Sequence, residues 1–83
     1  MRTPTWGEVE RLCTIDGWTE VRRTGHVFYE KVLPSGTLLR THRSFASRKT
    51  MSPGRFKAIL RLQLLVTEEQ FWRGLETRQP VDR

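Results

Sequence analysis

His26 and His42 are the chain's two histidines, and both stand inside its most cationic stretch. Residues 22–61 hold ten of the fifteen Lys and Arg side chains (Arg22, Arg23, Lys31, Arg40, Arg43, Arg48, Lys49, Arg55, Lys57 and Arg61) against one acid, Glu30. The flanks lean the other way. Glu8, Glu10, Asp16 and Glu20 outnumber Arg2 and Arg11 on one side, and Glu68, Glu69, Glu76 and Asp82 outnumber Arg73, Arg78 and Arg83 on the other. A formal net charge of +6 segregated in this way points to one face that meets a polyanion. Imidazole is the side chain that accepts a proton near neutral pH. RNA brings its own nucleophile, the 2′-hydroxyl. A base to take that proton and cations to stabilise the charged phosphorane suffice for strand cleavage without a metal.

The elements that must position these groups are few, because 83 residues make one small domain. Three Trp and four Phe supply large buried areas to an otherwise thin core. The single cysteine, Cys13, excludes an internal disulfide and fits a reducing, cytoplasmic compartment. One Cys and two widely spaced His offer no zinc-type ligand spacing, so neither metal nor cofactor is expected. The N-terminal residues lack the apolar core of a leader peptide, and no apolar run is long enough to span a bilayer.

Thr5-Trp6-Gly7-Glu8 has the form of a capping box, and Pro4 after Thr3 suits the first turn of a helix. Trp6, Val9, Leu12 and Cys13 form its apolar stripe, which makes Cys13 a packed thiol, and Asp16-Gly17 ends it. Trp18–Arg23, His26–Leu33 and Thr37–His42 then read as three strands joined by tight turns, an antiparallel meander. Arg43–Met51 reads as a mobile basic loop. Ser52-Pro53 restarts helix, with Phe56, Ile59, Leu60 and Leu64 facing inward and Lys57 and Arg61 facing solvent. Thr67-Glu68-Glu69-Gln70 caps a short last helix that docks through Phe71, Trp72 and Leu75. The fold class is therefore α+β: α-β-β-β-α with an extra short C-terminal helix and a sheet covered by helices on one face. Residues 1–76 form the domain and 77–83 a frayed tail.

Register decides what surrounds the histidines. With Thr24-Gly25 as a two-residue turn, Arg23 stands opposite His26 and Val21 opposite Phe28. A phosphate there would meet Arg22, Arg23, open backbone N–H groups and an imidazole. If Leu33 pairs with Thr37, His42 lies opposite Phe28, diagonal to His26 at roughly 7–8 Å. If Ser35-Gly36 is the turn pair instead, His42 moves to the other face. Both registers remain open in the sequence. Tyr29 and Lys31 share the opposite parity, where packing and solvated charge are the expectation.

The order of these features resembles the HicA family of bacterial toxin–antitoxin mRNA interferases, which have a fold like that of double-stranded-RNA-binding domains. The resemblance runs from about Trp6 to Trp72. It includes Asp16-Gly17-Trp18, Val21-Arg22, Gly25-His26, Val27-Phe28-Tyr29-Glu30-Lys31, Pro34-Ser35-Gly36, the basic loop, Gly54, Ile59-Leu60-Arg61 and Thr67-Glu68-Glu69-Gln70-Phe71. The family's catalytic histidine follows a Gly-Ser pair, whereas Thr24-Gly25 precedes His26. A longer basic loop, Trp72 and the tail mark a divergent member.

The resemblance implies a metal-independent endoribonuclease that cuts mRNA and represses translation. His26 would be the general base, Arg22 and Arg23 the phosphate clamp, and His42 a second candidate. Lys31, Arg40, Arg43, Arg48, Lys49, Arg55, Lys57 and Arg61 would hold flanking RNA. It also implies an acidic antitoxin over the cationic face, and a weak homodimer is compatible with it. Three other readings stand beside it: a non-catalytic RNA-binding module on the same fold, a RelE-like ribosome-dependent nuclease, and a domain that binds only an acidic protein.

Overall fold

In the computed structural model, which describes residues 1–83, the element order is α1 (Trp6–Ile15), β1 (Thr19–Thr24), β2 (His26–Val32), β3 (Leu38–Arg43), α2 (Pro53–Ala58) and α3 (Glu68–Thr77). The three strands form one antiparallel sheet in the order β1-β2-β3. Its inner face (Val27 and Tyr29 on β2, Leu39 and Thr41 on β3) is buried against the helices, and Val9, Leu12, Cys13, Phe56, Ile59, Leu60, Leu64 and Phe71 fill the core. The architecture is α+β, as the periodicities predict. No helix is long and apolar enough to cross a membrane.

Local chemistry explains most boundaries. The Thr5 hydroxyl accepts from the Glu8 N–H at 3.1 Å while the Glu8 carboxylate accepts from the Thr5 N–H at 2.9 Å, so α1 opens on a complete capping box. Pro4 lies one residue outside that cap, buried, rather than in the first turn. Thr67 and Gln70 form the same reciprocal pair at the start of α3. Ser52 caps α2, with Pro53 in its first turn. Beyond Ala58 the helix widens into a π-helical stretch, Ile59–Leu64, which ends at Leu65 with φ 52°.

Two expectations about mobility are corrected. The segment after β3 is tied to the start of α1: the Trp6 N–H donates to the Lys49 carbonyl at 3.0 Å and the Gly7 N–H to the Ser47 carbonyl at 2.9 Å. A Cβ at Gly7 would come within 3.0 Å of that same Ser47 oxygen, so only glycine lets the loop lie this close. The C-terminal residues are docked as well. The Val81 N–H and the Arg83 guanidinium both donate to Asp16, at 2.8 and 2.7 Å, and Arg83 also reaches the Leu64 carbonyl. Backbone groups that find partners are held, whatever their place in the chain.

Asp16 is the polar centre of the fold. Its side chain is fully buried and also accepts from the Trp18 indole N–H at 3.0 Å, with Lys31 Nζ 3.4 Å away. Burial pushes its carboxyl pKa up, but the bonds from Arg83, Val81 and Trp18 outweigh that and hold it below the usual value. A carboxyl whose folded pKa is depressed stabilises the fold fully above its unfolded value of about 3.9, and that contribution drains as pH falls through the folded value. Asp16→Ala, which strands two cations, is expected to cost about 3 kcal/mol at neutral pH. In urea denaturation the gap between wild type and variant should shrink below about pH 4, the unfolded carboxyl value. A gap constant from pH 7 to pH 3 would show that the carboxylate charge is not what holds the centre together.

Candidate functional site

The β1–β2 turn is tighter than a two-residue loop. Thr24 pairs with His26 across Gly25 alone, whose φ of 70° reverses the chain in a single residue. Arg23 therefore pairs with Val27 and Arg22 with Phe28, so the expected Arg23–His26 and Val21–Phe28 pairs do not form. A bulge between Glu20 and Arg22 absorbs Val21 as an extra residue. The consequence for charge is direct. Arg22 shares the outer face with His26 and Phe28, its guanidinium 4.3 Å from the Phe28 ring centre. Arg23 turns to the other face and bonds Glu20 at 2.8 Å.

The second hairpin takes the register that brings the histidines together. The Leu33 N–H donates to the Thr37 carbonyl at 2.9 Å, and His42 stands opposite Phe28. The imidazole centres are 5.4 Å apart, with Phe28 6.3 Å from His26 and 5.7 Å from His42. They open into a cleft of about 330 Å³ that Trp6, Ser44, Thr50, Met51, Ser52 and Arg55 complete. No carboxylate lines it. Trp6, expected only as a core residue, is the member that sequence did not place here: it lies twenty residues from His26, and the loop docked on the start of α1 completes the cleft beside it. The guanidinium of Arg55 sits 5.5 Å from the Trp6 ring centre.

The cationic block divides sharply. Arg23, Lys31, Arg40 and Arg43 are engaged by Glu20, Asp16, Glu30 and Glu10, the last at 2.6 Å. Arg43 is buried and also donates to the Tyr29 hydroxyl and the Ser44 carbonyl. The other six members, Arg22, Arg48, Lys49, Arg55, Lys57 and Arg61, are exposed and make no ion pair. Lys31 and Arg43 thus serve the fold, and the six unpaired cations are the ones available to an anion. Cys13 is buried beneath α1, its thiol pushed up to about 12 by burial and by Asp16 and Glu10, which makes it a packing group. No three His, Cys, Asp or Glu side chains come together as metal ligands.

Partial burial lowers the His42 pKa, and the neighbouring His26 and Arg55 lower it further, since positive charges disfavour a second proton. At a given pH His42 therefore keeps a larger neutral fraction, with a free lone pair, than an isolated imidazole does. Compared with known proteins, the chain matches no family model, no curated protein and no solved structure. An NMR titration should place the His42 midpoint below 6.5, the ordinary imidazole value. Arg55→Gln and His26→Gln should each raise it, and an unmoved midpoint in both would mean that charge is not part of the cause.

Proposed function

We propose that the protein is a metal-independent endoribonuclease in which His26 and His42 act as an acid–base pair on one RNA phosphate. The observation that carries this reading is the pair itself: two imidazoles 5.4 Å apart in an acid-free cleft that Arg55 lines, with the unpaired Arg22 over the adjoining Phe28 ring. A lowered pKa suits His42 to the base, which takes the 2′-hydroxyl proton. The 2′-oxygen attacks phosphorus and the bond to O5′ breaks. His26, protonated, gives its proton to the departing O5′. The products are a 2′,3′-cyclic phosphate and a 5′-hydroxyl. The sequence makes His26 the expected base and His42 only a second candidate; the greater burial of His42 is the reason the base moves to it.

Arg22 and Arg55 supply positive charge where the phosphorane becomes dianionic. Arg48, Lys49, Lys57 and Arg61 add unpaired charge for the flanking backbone. Taken with the sequence resemblance, this is the activity of a HicA-like toxin that silences translation by cutting mRNA, and an acidic antitoxin is the partner such a surface would call for.

Purified protein incubated with labelled RNA and a metal chelator is expected to leave 2′,3′-cyclic phosphate ends, and a 2′-deoxy substitution at the cut should block it. His26→Ala and His42→Ala should each lower the rate by at least about a hundredfold, the lower end of general acid–base effects. RNA affinity should stay within about threefold, because the unpaired cations that carry affinity are untouched. Binding without turnover in wild type would instead favour a non-catalytic RNA-binding module on this fold.

A further inference from the structure

The cleft holds one large aromatic side chain that neither the proton transfers nor the phosphate clamp uses. Trp6 is the first residue of α1, and its ring is only partly buried although it packs against the core. The exposed part opens into the same cleft as both imidazoles. Its backbone is fixed from two sides, by the Thr5 cap and by the Trp6 N–H bond to Lys49, so the ring is presented on a rigid mount. Part of what covers it is a cation. Arg55 lies over it at 5.5 Å, makes no ion pair, and is free to exchange the ring for a phosphate.

The part of an aromatic ring that opens into a polar, cationic cleft is what a nucleobase stacks on when its backbone is held nearby. We propose that Trp6 is the stacking platform for the base of one of the two nucleotides flanking the scissile phosphate, and that the substrate must therefore be unpaired there. This rests on the nuclease reading above and deepens it to a substrate class. Two arguments converge on an unpaired nucleotide. A base inside a duplex has both faces occupied by its neighbours and offers none to Trp6. In-line attack by the 2′-oxygen also needs a ribose rotated out of A-form geometry, which stacking within a duplex resists.

The test uses the full chain and DNA strands carrying a single ribonucleotide, so that one linkage can be cut. Replacing the base on one side of that linkage by an abasic residue should lower kcat/KM about tenfold, the lower range for one stacked base. Annealing the strand to its complement should lower it at least about tenfold. Trp6→Leu, which keeps an apolar residue at the start of α1, should lose about as much on the intact strand and nothing further on the abasic one, because both changes remove the same contact. Cleavage undiminished on both the abasic and the paired substrates would overturn the stacking site and leave the nuclease reading standing.

If no substrate is cut, the nuclease reading falls, and the platform is judged on binding of the all-deoxy strand. A saturable quench of tryptophan fluorescence that is absent in Trp6→Leu would support it, and no quench would overturn it. The abasic arm works with wild-type protein, so a variant that fails to fold does not spare the proposal.

Discussion

One buried carboxylate holds this fold together. Asp16 sits at the C-terminal end of α1, where the helix dipole disfavours negative charge, and the last turn of that helix has no basic residue to compensate. The compensation comes from distant parts of the chain: Lys31 at the far end of β2, Arg83 from the C-terminus, and the indole of Trp18. A charge buried without these partners would be untenable, so its presence obliges the sheet, the first helix and the tail to meet at one point. The arrangement answers the difficulty of a small domain, whose apolar core alone is thin.

At the other end of the sheet the constraint is parity. His26, Phe28 and His42 share a face because the chain reverses within one residue at Gly25 and because β3 pairs with β2 in the Leu33–Thr37 register. A slip of one residue in either hairpin would part the imidazoles. The acids near the sheet are likewise disposed: Glu20, Glu30 and Glu10 each hold an arginine and lie outside the cleft. The cleft keeps its positive character because the carboxylates within reach are already engaged. Arg40 and Glu30 illustrate it, facing each other across β2 and β3 on the same open surface as the histidines.

Much of this was legible in the residues. Both capping boxes, the Ser52-Pro53 start, the helix stripes and the three strands follow from short-range chemistry that acts the same way in any fold. The one-residue turn did not, because Thr24-Gly25 satisfies a two-residue turn equally well and β1, exposed along its whole length, has no buried residue to fix the register. Nor could charge counting separate Arg43, buried on Glu10, from Arg55, free in the cleft. Both are arginines in a basic run, and partners far away in sequence decide between them. Trp6 was legible as a core residue of α1; its second aspect, an open ring beside the histidines, depends on a loop that pattern alone assigned to solvent.

The bulge at Val21 has an effect beyond setting Arg22 on the outer face over Phe28. As one of the sheet's two outer strands, β1 carries unpaired main-chain groups along its free side, the kind of border on which sheets of separate molecules fuse. An extra residue there breaks the even spacing of those groups and sharpens the local twist, so a straight incoming strand would find few partners in line. The irregularity that sets Arg22 on the open face thus also blunts one edge of the sheet against pairing with another molecule.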